Sequence, residues 1–250
     1  MNRETFFSEA QKLLVNAKSW IQFVKEANVI KVEQEEFSIP TSIYTNYESV
    51  SEDKISGQLL PNDAHPQLIP MQSYGDGNCL FRSISLIVFG NQNYHTEFRV
   101  RTIIELTCNE ELYLQEETFS EMAEYSHDWI LEYIIEVSVS DGSYVPNNRQ
   151  ESLRNEIMHS AKRDTYASML HIMALCNVIK KPINSIHPLV QNPGIDRDVH
   201  NQILFPIGEI YYSDSLSDTL SILWTHTSDT SLVGWKPNHF VPCFPVNEYR

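Results

Sequence analysis

Apolar residues recur at intervals of three and four along much of the chain, the spacing of helices that bury one face. The first such stripe lies in residues 5–32 and predicts one helix, which either packs on its own domain or binds a partner. A second pattern over residues 80–88 predicts a helix that ends at Gly90, because glycine is the usual residue after a helix C-terminus. Residues 33–70 carry five scattered prolines and glycines and predict an irregular connection.

More helices are predicted in the middle of the chain, and strands dominate its end. Helices are expected over residues 96–114 and 166–179. Another should begin at Thr118 and reach about residue 137, because Thr118 and Glu121 fit a capping box. Short β-like segments follow at residues 183–186, 202–206, 209–212, 220–225 and 239–244.

Helices that precede short strands predict an α+β fold, with a small central sheet flanked by helices in an α/β/α sandwich-like arrangement. The chain has 250 residues and is 42% apolar, which is enough to bury a sizeable core. We predict an N-terminal helix and irregular extension over residues 1–69 and a main domain over residues 70–250.

The charge is strongly one-sided, with a net value of −15. Nucleic acid is therefore not expected as a partner, because phosphate binding needs clustered lysine and arginine. Residues 102–148 contain eleven acids and no lysine or arginine, so they form either a solvated acidic face or a docking surface for a basic partner.

Four widely spaced cysteines favour a reducing compartment, because they include no C-x-x-C pair and are too sparse for a disulfide scaffold. The N-terminus lacks the apolar core of a signal peptide, and no apolar run reaches the length of a membrane span. We expect a cytoplasmic or nuclear protein without membrane contact, monomeric, with no metal or other cofactor.

Candidate chemistry lies in the stretch YGDGNCLFRSIS, residues 74–85. Cys79 follows a turn-forming run and opens the predicted helix, where unpaired backbone N–H groups favour the thiolate and should lower the thiol pKa. Gly75 and Gly77 allow a tight loop whose N–H groups, with those of Asn78, can stabilise an oxyanion. A phosphate-binding loop is the less favoured alternative, since neither G-x-G-x-x-G nor a P-loop lysine is present.

A cysteine nucleophile needs a base, and His239 is the best placed of nine histidines. It follows the turn Lys236-Pro237-Asn238 and opens an apolar, strand-like run. A histidine at such a junction can face a cleft. The simpler alternative is a strand-end histidine bonded to the backbone.

These residues together resemble the ovarian-tumour (OTU) family of cysteine proteases. The strongest likeness is D-G-N-C-L-F-R-S at residues 76–83. His95 with Val100-Arg101, the helix-then-strand segment 166–186, and Asn238-His239-Phe240 resemble further family elements in the family order. The likeness covers roughly residues 70–245 and raises Cys79 well above the other cysteines as the nucleophile.

The resemblance implies a fold, an activity and roles for single residues. Cys79 would attack the carbonyl of the C-terminal glycine of ubiquitin or a ubiquitin-like modifier. His239 would be the base, and backbone N–H groups of residues 76–79 would hold the oxyanion. Asn238 and Trp235 are candidate substrate-binding residues, although Trp235 can equally cover the core. The acidic stretch falls where the family builds a helical arm against ubiquitin.

One position departs from the family pattern. Many members carry a polar residue two positions after the histidine that orients the imidazole, and here that position is Val241. Asp76, Asn238 and Asp63 are candidates for the orienting role, and Asp76 is counted among the catalytic residues although it can instead only shape the loop.

The predicted function is removal of ubiquitin or a ubiquitin-like modifier from lysine side chains through a thioester intermediate, with ubiquitin or polyubiquitin as the partner. Two alternatives stay open. One is a catalytically weak OTU fold that only binds ubiquitin, as the valine at position 241 suggests. The other is a cysteine-dependent acyl-transfer enzyme that acts on a different amide or thioester.

Overall fold

The computed structural model describes residues 1–41, 50–62, 68–122, 134–136, 148–189, 195–208, 219–228 and 236–246. Its helices are α1 (Arg3–Asn16), α2 (Trp20–Glu33), α3 (Lys54–Leu59), α4 (Cys79–Phe89), α5 (His95–Cys108), α6 (Glu116–Met122), α7 (Arg149–Ser160), α8 (Met169–Ile179) and α9 (Ile195–His200). Short 3-10 helices lie at Gln34–Glu36 and Leu112–Leu114. Within these ranges no helix is both long and apolar enough to cross a bilayer.

Among the described residues the sheet has five strands: β1 (Leu68–Pro70), β2 (Ile183–Ile186), β3 (Gln202–Leu204), β4 (Leu220–Thr225) and β5 (His239–Pro245). Their order is β1-β5-β4-β2-β3, and only the β2–β4 pair is parallel. Helix α4 packs against β5, and α5 packs against both α4 and α8. A small sheet with helices packed on it confirms the predicted α+β class.

Several predicted boundaries are wrong for local reasons. The single helix over residues 5–32 is two helices, because Ala17 is extended and the Ser19 hydroxyl accepts the Gln22 N–H as a new N-cap. The capping box at Thr118 is not used, since α6 already begins at Glu116. Helix α8 begins at Met169 rather than at residue 166, because Ser168 and His171 form its capping box.

Other predicted elements agree with the structure, differ from it in one bound or lie outside its described part. The strands at residues 183–186 and 220–225 have the predicted bounds, and Gly90 ends α4 in the left-handed conformation with φ 72°. The helix expected over residues 96–114 ends at Cys108 and continues as a 3-10 turn. The strand at residues 209–212 lies outside the described residues, as does part of the helix expected to reach residue 137.

The segment expected to be irregular, residues 33–70, contains α3 and β1. Asp53 starts α3 by accepting the N–H groups of Ile55 and Ser56. Strand β1 pairs with β5 at the edge of the sheet. Because β1 has three residues and ends in a proline, it offers no alternating pattern that a sequence could reveal.

The first two helices belong to the same hydrophobic core as the sheet. Phe7, Phe23 and Ile30 are almost completely buried, and α1 and α2 both pack on α5. Glu97 joins them electrostatically, because it accepts two bonds from Arg3 (2.6 and 2.7 Å) and one from Arg101 (2.8 Å). The boundary at residues 69 and 70 stays a prediction, but hydrophobic contacts cross it extensively.

Candidate active site

Cys79 is the first residue of α4 and lies against the strand that carries His239. Its side chain is buried, and the backbone N–H groups of Phe240 and Leu80 favour the thiolate. Burial nevertheless raises the pKa of Cys79 to about 11, and these N–H groups offset only part of that effect. The expected lowering of the thiol pKa at a helix N-terminus is therefore wrong, because desolvation of the thiolate outweighs the helix terminus.

The loop before Cys79 depends on Gly77. Gly77 has φ 75°, in the left-handed region that favours glycine. An added Cβ would lie 2.6 Å from the Asp164 Cα and closer still to its carbonyl group. Close backbone contact thus explains the glycine, and Asn78 ties the same two segments through a 3.4 Å bond from Nδ2 to Asp164 Oδ1.

A buried arginine, Arg99, forms hydrogen bonds with this loop. Arg99 donates to Gly77 O (2.8 Å), Asn78 Oδ1 (3.0 Å) and Ser160 O (2.7 Å), and twice to Thr165 at 2.9 Å. Burial lowers the pKa of Arg99 to about 10, so it is still a cation at neutral pH. This role was not predicted from the sequence, although an arginine between Phe98 and Val100 on an apolar helix was the available signal.

Asp76 is bonded to Arg82 rather than to the imidazole. Its oxygens accept Arg82 Nε (3.0 Å) and Nη2 (2.6 Å), and one of them also accepts the Asn78 N–H (3.1 Å). Partial burial raises the pKa of Asp76, but the bonds from Arg82 and Asn78 outweigh it and lower the value to about 2. This placement fits the loop-shaping role more directly than an orienting role.

His239 opens β5, and its two ring nitrogens have different surroundings. Nε2 lies 3.1 Å from Ser73 Oγ, which also donates to Phe240 O at 2.5 Å. Nδ1 is buried and has no hydrogen-bond partner among the described residues, Cys79 included. A Cβ on Gly75 would be 3.7 Å from this nitrogen, so the Nδ1 edge lies beside the loop that leads to Cys79. Burial lowers the pKa of His239, opposed mainly by Asp53.

The remaining predicted residues are placed as follows. Val241 is fully buried in a small apolar cluster with Cys243, so the position two after the histidine holds no orienting group. Asn238 Oδ1 accepts the Thr227 N–H (3.0 Å) and shapes the neighbouring loop. Trp235 and Asp63 lie outside the described residues, as do residues 123–133 and 137–147 of the acidic stretch.

An open cavity of about 580 Å³ lies beside the histidine. His239, Ser73 and Gly75 form part of its wall, and the N-terminal segment contributes Asp53 and Ile55. Within the described ranges, no group of three or more histidine, cysteine or acidic side chains could hold a metal ion.

Cysteine at a helix start, a bonded loop before it and a strand-opening histidine define the site of an OTU-type domain. A family model described as the OTU domain of vertnin matches residues 70–225. The chain belongs to this vertnin OTU-domain family, and the predicted OTU membership is confirmed.

The vertnin relatives agree with this assignment. The chain is 27% identical over 222 residues to vertnin of Danio rerio, covering 84% of this chain and 30% of that protein. It is 26% identical over 196 residues to vertnin of Homo sapiens, covering 78% of this chain and 27% of that protein. It thus spans about 30% of the length of these curated relatives. A solved viral OTU domain protease from Farallon virus aligns with 13% identity and a TM-score of 0.41, covering 73% of this chain and 86% of that one.

Proposed function

We propose that this OTU domain is a cysteine isopeptidase that removes ubiquitin or a ubiquitin-like modifier from lysine side chains. The observation that carries the proposal is the state of His239: Nε2 is bonded to Ser73 and Nδ1 is left without a partner beside the loop of Cys79. An imidazole held in this way has one nitrogen available to take a proton. The four cysteines are all free thiols, which suits a cytoplasmic or nuclear setting.

The proposed reaction uses only groups of this site. Nδ1 of His239 takes the proton of the Cys79 thiol, and the sulfur attacks the carbonyl of the modifier's C-terminal glycine. Backbone N–H groups at Gly77 and Cys79 stabilise the resulting oxyanion, whereas the Asn78 N–H is already bonded to Asp76. The imidazolium returns its proton to the departing lysine amine as the C–N bond breaks. Water, deprotonated by the same imidazole, then hydrolyses the thioester and frees the thiol.

A second candidate function is ubiquitin binding without turnover. It is favoured by the buried Cys79 thiol, whose pKa is raised to about 11, and by the lack of a hydrogen bond between this thiol and the imidazole. Under the isopeptidase proposal, this arrangement is a resting state with both groups neutral, and bound substrate must bring sulfur and Nδ1 together.

Covalent labelling with ubiquitin that carries a C-terminal electrophile tests the proposal. We expect the wild-type chain to be labelled, Cys79→Ala to lose labelling and His239→Ala to slow it by at least about 100-fold. Cys108→Ala is the matched control, because Cys108 is only half buried at the far end of α5 and should leave labelling intact.

The same experiment separates the two functions. If folded wild-type protein binds unmodified ubiquitin in a titration but is never labelled, binding without turnover is the correct interpretation. If it neither binds nor is labelled, the modifier is wrong and ubiquitin-like proteins are tested next by the same pair of assays.

A further inference from the structure

The imidazole of His239 needs an orienting partner that the strand itself does not supply. Val241 is apolar and packs in the cluster of Ile186, Leu223 and Cys243. Both oxygens of Asp76 are bonded to Arg82. Asn238 is bonded to the backbone N–H of Thr227 through its side-chain oxygen. None of these three side chains forms a hydrogen bond with the ring.

The side chain that does bond to the ring of His239 is Ser73. Its hydroxyl oxygen lies close to two atoms at the start of β5: 3.1 Å from His239 Nε2 and 2.5 Å from Phe240 O. The side chain is partly buried, so water competes weakly for these bonds. The contact therefore joins Ser73 to the ring and to the backbone that carries it.

Counting protons assigns the tautomer of the ring. A serine hydroxyl has one hydrogen, and a backbone carbonyl can only accept. Because the hydrogen of Ser73 Oγ is directed to Phe240 O, the oxygen can only accept from Nε2. A neutral His239 then carries its proton on Nε2 and its lone pair on Nδ1, the nitrogen beside Gly75 that has no partner. A base that takes the Cys79 proton through Nδ1 requires this tautomer, because Nδ1 must be unprotonated to accept it.

The fold delivers Ser73 to this place through the edge of the sheet. Strand β1 pairs with the C-terminal half of β5, and the Met71 N–H extends the ladder to Pro242 O at 2.9 Å. Two residues later the chain lies beside the start of β5, where His239 is found. The positioning group therefore comes from the loop that follows β1, before the nucleophile in sequence, and is independent of residue 241.

We propose that Ser73 is the positioning residue of His239, which fixes the ring orientation and the Nε2–H tautomer. This inference rests on the proposed function, because a positioned base matters for catalysis only if Cys79 reacts. A hydroxyl in this role is a neutral partner. It orients the ring while stabilising the imidazolium less than a carboxylate would.

The first test reads the tautomer directly and needs no substrate. Long-range proton–nitrogen correlation NMR of wild-type protein at neutral pH should show the His239 proton on Nε2. Ser73→Ala should give a mixture of tautomers, and Ser73→Thr should restore the wild-type spectrum because it keeps the hydroxyl. Wild-type protein with the proton on Nδ1 would overturn the proposal without any variant.

The second test measures turnover of a fluorogenic amide of the ubiquitin C-terminus. Ser73→Ala should lower kcat by about 10- to 100-fold with little change in KM, because a lost hydrogen bond to a ring that becomes charged acts on the chemical step. Ser73→Thr should recover most of the rate. Unchanged kcat in a Ser73→Ala variant with wild-type NMR signals would refute the role.

Ser56→Ala is the matched control. Its hydroxyl is buried and bonded to Thr225 Oγ1 at 2.8 Å, on the residue that pairs with His239 across the sheet, but it does not touch the ring. Ser56→Ala should lower the free energy of unfolding about as much as Ser73→Ala does. It should leave the His239 tautomer and kcat unchanged. A tautomer shift in this control as large as that of Ser73→Ala would show a general loosening of the strand. Failure of the ubiquitin probe on wild type would instead refute the proposed function and leave the NMR result standing.

Discussion

The two halves of the site are held by very different means. The loop before Cys79 is bonded through Arg99, through the Asp76–Arg82 pair and through the contact of Gly77 with Asp164. The ring of His239 has a single side-chain partner, Ser73, and a buried nitrogen without any partner in the described part of the chain.

This difference indicates where each kind of damage should appear. Defects on the nucleophile side should lower the stability of the fold, because buried charges and backbone groups lose several bonds at once. Defects on the histidine side should change the rate while the fold persists. The four predictions below test this division, from the largest expected effect to the smallest.

Arg99→Lys should cause the largest loss. A lysine keeps the charge but cannot form the five bonds of the guanidinium, so buried carbonyls of the loop lose their donors. We expect the free energy of unfolding to fall by about 3 kcal/mol or more, measured by urea denaturation. The control is Arg163→Lys, an exposed residue with one weak bond to Ser8, which should change stability by less than about 0.5 kcal/mol. Equal losses of stability in Arg99→Lys and Arg163→Lys would contradict the structural role of Arg99.

The reactivity of Cys79 comes next. Because burial raises its pKa to about 11, the thiolate fraction at pH 7 should be more than roughly 100-fold below that of an ordinary thiol. Alkylation by a small reagent, read by mass spectrometry of the Cys79 peptide, should be slow at pH 7 and rise steadily up to about pH 11. A plateau between pH 6 and 8 would instead reveal a preformed ion pair with His239.

Gly77→Ala should be more harmful than Gly75→Ala. The first places a side chain at φ 75° against the Asp164 backbone, for an expected loss of roughly 2–4 kcal/mol. The second meets Thr227 and His239 at ordinary contact distances of 3.5 and 3.7 Å, so stability should hardly change. Thermal unfolding of both variants is the measurement. Similar melting temperatures for Gly77→Ala and Gly75→Ala would contradict the prediction.

Asp76→Asn should have the smallest effect, and only above acid pH. The folded pKa of about 2 lies below the usual aspartate value near 3.9, so Asp76 contributes stability above about pH 4, and this contribution is lost as pH falls toward 2. The pair is partly exposed, which limits its contribution to about 1 kcal/mol. Urea denaturation from pH 2 to 7 should show a shallower acid slope in the variant. An unchanged slope would assign the acid sensitivity to other carboxylates.

The sequence predicted those parts of the site that depend on local pattern. Cys79 at a helix start and His239 at a strand start follow from turn residues beside apolar runs, and both lie where expected. Arg99 and Ser73 were missed because their partners are distant in sequence: Ser73 contacts residues 166 and 167 positions away. The predicted shift of the Cys79 pKa had the wrong direction, because burial depends on the whole fold and not on the residues next to Cys79.

The packing of the first two helices has a practical consequence for protein production. A fragment limited to residues 70–225 would omit both those helices and β5, the strand that contains His239. One that starts at residue 70 and keeps β5 would still uncover the apolar side of α5 and leave Glu97 without Arg3. Such fragments should aggregate on expression, and a lack of activity in them would not show whether the 250-residue chain is active.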